Sequence, residues 1–263
     1  MSLFNRSTVA VLTITAAILL LACSAAADWK PGDPVKMTNP QLPDPTGFDV
    51  NMTYPKVLAD DWKCSETGPV SDIHFWFSYP HDAVVPIAKL HVSIHKDIPA
   101  VPPTAASRPG DVLWQRDFAP TQLTLVYPAG TGLESWYDPN TGLVVPGDHQ
   151  TYGQVNITNI TDPFVQTEGT IYWLDLSVVT AAGTNAQIGW KTALPPHFLD
   201  DAVWGDYITT VNPYDGPALW TPMVYPSGPN VQQSMDMAFV ITPEPGMMLL
   251  IPGLALLALR RRR

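Results

Sequence analysis

The chain has 263 residues, with 14 lysines and arginines against 24 aspartates and glutamates, and only two cysteines. A formal charge of −10 speaks against nucleic acid and anionic membranes as partners, and two cysteines exclude a disulfide framework. Five of the basic residues are Arg6 and Arg260–Arg263; without them 9 basic residues face 24 acidic ones, a formal charge of −15.

Residues 1–27 read as a signal peptide. Arg6 supplies the positive region, Val9 to Ala22 is apolar, and Ala25-Ala26-Ala27 offers small residues for cleavage, so the mature chain is expected to begin at Asp28. A competing reading is lipidation of Cys23, because Leu20-Leu21-Ala22-Cys23 resembles a lipobox. Cys64 is then left as a buried small hydrophobe or a free thiol. Residues 28–56 are rich in proline and lack a long apolar pattern, which predicts an extended N-terminal arm able to contribute an edge strand.

From 57 to 241 the chain carries short runs of period two. Ile73, Phe75 and Phe77 alternate with His74, Trp76 and Ser78; Leu90, Val92 and Ile94 alternate with His91, Ser93 and His95. Further strands are predicted over 112–118, 122–127, 154–160, 171–179, 187–192 and 235–241. In 171–179 one face holds Tyr172, Leu174, Leu176 and Val178, and the half-wet other face holds Ile171, Trp173, Asp175 and Ser177. Turn signals such as Asp138-Pro139-Asn140-Thr141-Gly142 separate the runs. The expected fold is all-β: one two-sheet antiparallel sandwich over 57–241, jelly-roll-like, flanked by a signal helix and a single membrane-spanning helix.

Catalytic motifs are absent from the sequence: no Gly-x-Ser-x-Gly, no His-Glu-x-x-His and no phosphate-binding glycine loop. His91 and His95 share a strand face but lie roughly 13 Å apart along it, too far to ligate one ion. Among the acids, Asp200, Asp201 and Asp206 bracket Val203-Trp204-Gly205, and Asp60-Asp61 precede Trp62. Acidic loops at a sandwich rim would take calcium, which wants several oxygen ligands; the plainer reading is capping and turn formation. No other cofactor is expected. Nine tryptophans and nine tyrosines raise a second chemistry. Trp76, Trp136, Trp173 and Trp220 would make a sugar-stacking platform if exposed, and core if buried. No spacing of carboxylates selects the pair that glycoside hydrolysis needs.

The last stretch has three parts. Pro243-Glu244-Pro245 is an extended joint, since neither proline continues a helix or ladder. Residues 246–259 are charge-free and apolar, and Arg260, Arg261, Arg262 and Arg263 follow. A helix over 246–259 would be about 21 Å long, short of the ~30 Å hydrocarbon core. The arginines would stay on the cytoplasmic side.

This tail, over 242–263, resembles the PEP-CTERM sorting signal of Gram-negative bacteria, carried by Pro243, Glu244, Pro245, the apolar span and the arginine cluster. The resemblance implies an exported protein held in the inner membrane and then cut near Pro-Glu-Pro by an exosortase-type enzyme, in bacteria that make extracellular polysaccharide. The body looks like an uncharacterised domain found with such tails. The matching stretches are Asp60-Asp61-Trp62, Asp72-Ile73-His74-Phe75-Trp76, Tyr172-Trp173-Leu174, Ile188-Gly189-Trp190-Lys191, Asp200-Asp201-Ala202-Val203-Trp204 and Met235-Asp236-Met237-Ala238-Phe239. The leading expectation is a non-enzymatic cell-surface or matrix protein. The alternatives are a carbohydrate-binding sandwich that tethers exopolysaccharide, and a polysaccharide hydrolase.

Overall fold

The computed structural model describes residues 28–102, 104–181, 186–207 and 219–243. The expected signal peptide, with Cys23, and the expected span and arginine cluster lie outside these residues. Among the described residues no helix is long and apolar enough to cross a membrane; single 3-10 turns lie at Pro80–Asp82 and Pro120–Gln122.

Fourteen strands follow in chain order: β1 (Phe48–Asn51), β2 (Lys56–Lys63), β3 (Gly68–Pro69), β4 (Asp72–Ser78), β5 (Ile87–Ile98), β6 (Arg108–Phe118), β7 (Thr124–Asp138), β8 (Leu143–Ile157), β9 (Val165–Gln166), β10 (Ile171–Thr180), β11 (Gly189–Lys191), β12 (Val203–Asp206), β13 (Thr221–Pro222) and β14 (Phe239–Thr242). The period-two runs are strands, but the architecture is not the expected two-sheet antiparallel jelly-roll sandwich. β11 pairs with β1 on one side and with β4 on the other, so β11, β1, β7, β8 and β4 close into a five-stranded barrel, with β14 added on β4. A ring with an odd number of strands cannot be antiparallel throughout. β1 supplies the break: it runs parallel to β7 and antiparallel to β11.

β1 lies in the segment expected to be an arm. It is paired on both sides, so this segment contributes a wall strand of the barrel and not an edge. β7 and β8 form a hairpin of two 15-residue strands. Its turn is the predicted one: Gly142 N–H donates to Asp138 C=O at 2.9 Å, Asn140 N–H to Asp138 Oδ1 at 3.1 Å, and Gly142 takes the left-handed φ of 72° that glycine tolerates.

The second sheet is open, in the order β13-β12-β2-β10-β5-β6, and β3 pairs with β9 alone. One apolar core joins the two systems. Leu58, Trp62, Leu90, Val92, Ile94, Leu174, Leu176 and Val178 of the open sheet meet Val50, Ile73, Phe75, Phe77, Trp190 and Phe239 of the barrel system. Trp62 on β2 packs edge-to-face on Phe239 of β14, with ring centroids 6.0 Å apart. Trp190 meets Phe75 and Phe239 at 6.2 and 5.9 Å and donates from Nε1 to Ala238 C=O at 2.9 Å.

Trp190→Ala removes a fully buried side chain from the closing strand and should cost ~3–5 kcal/mol in urea unfolding. Leu133→Ala, at a position 63% exposed on β7, should stay within about 0.5 kcal/mol. Equal losses at the two sites would contradict this placement of the core.

Candidate functional site

Alternation along the barrel strands puts Val50, Phe77 and Trp190 in the shared core and turns Asp49, Ser78 and Lys191 the other way. Each barrel strand contributes to one buried polar cluster: Asp49 (β1), Glu134 (β7), His149 (β8), Ser78 (β4) and Lys191 (β11). Lys191 Nζ donates to Glu134 Oε2 and, at 3.5 Å, to Asp49 Oδ2. It also lies 4.8 Å from the centroid of the Tyr152 ring. His149 Nε2 stands 2.8 Å from Ser78 Oγ, 3.0 Å from Asp49 Oδ2 and 3.3 Å from Glu134 Oε2, and its Nδ1 is 3.1 Å from Asp148 Oδ2. β8 and β1 are not neighbours in the ring, nor are β11 and β7, so these contacts cross the barrel interior.

The electrostatics follow from this geometry. Burial pushes Asp49 up, but Lys191 and the bonds from His149 and Glu134 outweigh it and hold the carboxyl well below its ordinary value. Burial, with the Asp49 charge beside it, pushes Glu134 up to about 8. Burial works against the charged form of His149, yet the carboxylates on both ring nitrogens prevail and raise it to about 10. The interior is thus an imidazolium and an ammonium facing two carboxyls. The ligand atoms of Asp49, Glu134 and His149 all lie within 4.8 Å of one another, which would suit a metal ion. Lys191 sits on the same two carboxyls, so the chain supplies the cation itself.

A second polar region lies on the face of the open sheet turned away from the core. Trp173, Asp175 and Ser177, expected to be half wet, are buried there. Ser93, His95 and Asp175 bring together the three residue types of a hydrolase triad, but in the wrong order. Asp175 Oδ2 and Ser93 Oγ both contact His95 Nε2, at 2.7 and 3.2 Å, while Nδ1 bonds the Gly110 carbonyl at 2.9 Å. A triad places its carboxylate on the opposite ring nitrogen from its nucleophile. Burial disfavours the charged form of His95, but Asp175 prevails and raises it. His91 pairs with Asp117 at 2.8 Å, and His74, on the other sheet, bonds Asn156 at 2.6 Å, so the three histidines do not converge.

Beside this network, Asp61 on β2, Asp97 on β5 and Asp200 line an open cavity of about 280 Å³ with Ser107, Ile171 and Leu199. Asp97 Oδ1 accepts from Trp173 Nε1 at 2.9 Å, and Asp200 Oδ2 accepts from Ser107 N–H at 3.3 Å. Asp61 is 1% exposed, and both its carboxyl oxygens are without a hydrogen-bond partner. Burial, then the charges of Asp236, Asp97 and Asp200, push it up to about 9.

The acids singled out in the sequence are thus divided. Asp200 joins the cavity; Asp201 is half-buried beside Ser234 and Asp236; Asp206 is paired in register with Lys56 on β12 and β2. Asp97 escaped sequence reading because only β5–β10–β2 pairing brings it beside Asp61. Of the four tryptophans, Trp76 packs on Trp29, Trp136 on Gly189, and Trp173 beneath Trp220; the first three are buried and Trp220 is half-buried. They form no exposed platform. A Cβ on Gly189 would stand 2.7 Å from the Trp136 ring, so this close approach requires glycine. Pro243 is half-buried just after β14, and Glu244, Pro245 and the arginines lie outside the described residues. Cys64 is buried and free.

Fold and sites together define an all-β domain built on a polar-cored five-stranded barrel, with an acidic cavity on its second sheet. The chain belongs to the family described as a domain of unknown function, DUF7901, whose model matches residues 37–242 and so takes in all fourteen strands. No curated protein and no solved structure matches it.

Lys191→Met takes one of the two cations from a pair of buried carboxyls and should cost ~3–5 kcal/mol; adding Glu134→Gln should recover part of this. The pH dependence has a definite sign. A group whose folded value is raised stabilises fully below its unfolded value and loses that contribution as pH rises through the folded one. For His149 that window runs from 6.5 to about 10. The stability gap between the wild type and His149→Gln should therefore be widest below pH 6.5 and shrink toward pH 10 in urea titrations. A gap constant over that range would contradict the buried imidazolium.

Proposed function

We propose that this chain is an exported, non-enzymatic component of the cell surface or extracellular matrix, routed by a PEP-CTERM-type tail. The observation that carries this reading is the order of chemistry along residues 243–263. The Pro243-Glu244-Pro245 tripeptide precedes a charge-free apolar run, and four arginines follow it. The Val9–Ala22 run and the small residues Ala25–Ala27 support entry into an export route. On this reading the partners are an exosortase-type processing enzyme, the inner membrane before processing, and extracellular polysaccharide at the destination.

The body supports the non-enzymatic part. Its Ser93–His95–Asp175 set lacks triad order. Asp49 and Glu134 are closed inside a barrel on Lys191, whereas glycoside hydrolysis needs two carboxyls open to a sugar. The sugar-stacking alternative loses its support with the burial of Trp76, Trp136 and Trp173.

Mass spectrometry of the surface fraction from a strain with a matching exosortase tests the proposal. The expected product is a body ending near Pro245 without the arginines. Changing Pro243, Glu244 and Pro245 together to alanine should leave a full-length, membrane-bound form. Abundant peptides spanning Leu254–Leu259 on mature, polymer-associated protein would contradict the sorting signal.

A further inference from the structure

We propose that the cavity lined by Asp61, Asp97, Asp200 and Ser107 is a calcium site. Three carboxyls line it, and the cavity lining holds no lysine, arginine or histidine to balance them. Two further observations point to an oxygen-seeking ligand. Both oxygens of the buried Asp61 carboxyl are without a partner, and so is the hydroxyl of Ser107, itself only 6% exposed. Buried polar groups are normally hydrogen-bonded, and three unpartnered oxygens on one small cavity call for a species that accepts their lone pairs. A proton donor or a cation would do so; three carboxyls with no basic side chain among the lining residues favour the cation.

The donor set selects its class. All the donors are oxygens, and none is nitrogen or sulfur, which suits a hard divalent ion and disfavours zinc or copper. Calcium fits better than magnesium. It accepts irregular coordination by six to eight oxygens, some from water, whereas magnesium demands a near-ideal octahedron. The cavity is open to solvent on one side, so water can complete the shell. Its donors come from two sheet strands and two loop segments, which is an irregular frame. The carboxyls stand wider apart than the barrel trio, which suits a large ion that keeps water among its ligands. Asp61 anchors the site from the sheet, and Asp200 closes it from the segment before β12. The inference stands on this geometry alone and does not depend on the export reading.

The test is thermal unfolding and calorimetric titration of the full chain in neutral detergent, stripped with chelator and then titrated with calcium chloride. At ~100-fold excess over Kd the midpoint should rise by about 5–10 °C. Asp61→Asn should lose this rise, and its midpoint in chelator should equal or exceed that of the wild type, because the crowding of acidic groups around that position is relieved. Asp200→Asn, at the half-buried rim, should fold normally and weaken binding roughly tenfold. Asp206→Asn should change neither. No calcium-dependent rise in the wild type, a rise retained in Asp61→Asn, or an unchanged affinity in Asp200→Asn would each overturn the site. An equal rise with magnesium chloride would overturn its assignment to calcium.

Discussion

The structure depends on Lys191 holding Asp49 and Glu134 together across the barrel. Burying one charge alone is costly, and a buried pair is tolerated only when its geometry and remaining hydrogen bonds are supplied. Here Asp49 Oδ2 is shared with His149, which Ser78 bonds in turn, and the Tyr152 ring faces Lys191 Nζ, groups brought in from β8 and β4, while Asp49 Oδ1 and Glu134 Oε1 keep no hydrogen-bond partner. No pair of adjacent strands could assemble this set. The ring must be closed first, and the closed ring in turn places the charges where they pair across it. Closure also explains the short β11, three residues long, which would be a poor strand in an open sheet. Flanked by β1 and β4, it delivers Trp190 to the shared core and Lys191 to the interior in consecutive positions.

The two polar regions differ in how their charge is balanced. Inside the barrel, carboxyls and cations alternate, and the network is closed to solvent. On the far face of the open sheet, His95 balances Asp175, but Asp61, Asp97 and Asp200 meet with no cation among the residues that line their cavity. The first region reads as part of the scaffold. The second is where the chain leaves room for something else.

Much of the strand content was legible in the sequence, because period-two alternation survives wherever one face is apolar. β4, β5 and β10 follow their predicted faces residue by residue. The barrel was not legible, for two physical reasons. Alternation tells which residues share a face but not which strands pair, and closure rests on β1–β7 and β4–β11 contacts between segments far apart in the chain. A second obstacle is the polar interior. Asp49, Glu134 and Lys191 sit at positions that alternation assigns to solvent, and their complementary charges become visible only when five strands converge. The acidic cavity was half legible. Asp61 and Asp200 stood out as clustered acids beside tryptophans, whereas Asp97 and Ser107 carried no signal of their own.

The central claim is that the barrel encloses a doubly protonated His149 among carboxylates. Nitrogen-15 magnetic resonance of the imidazole side chains, with His149→Gln to assign the signal, tests it directly. At pH 8 both ring nitrogens of His149 should carry protons, with slow exchange to solvent. A neutral ring at that pH, exchanging freely with water, would contradict the closed, charge-paired interior and with it the barrel.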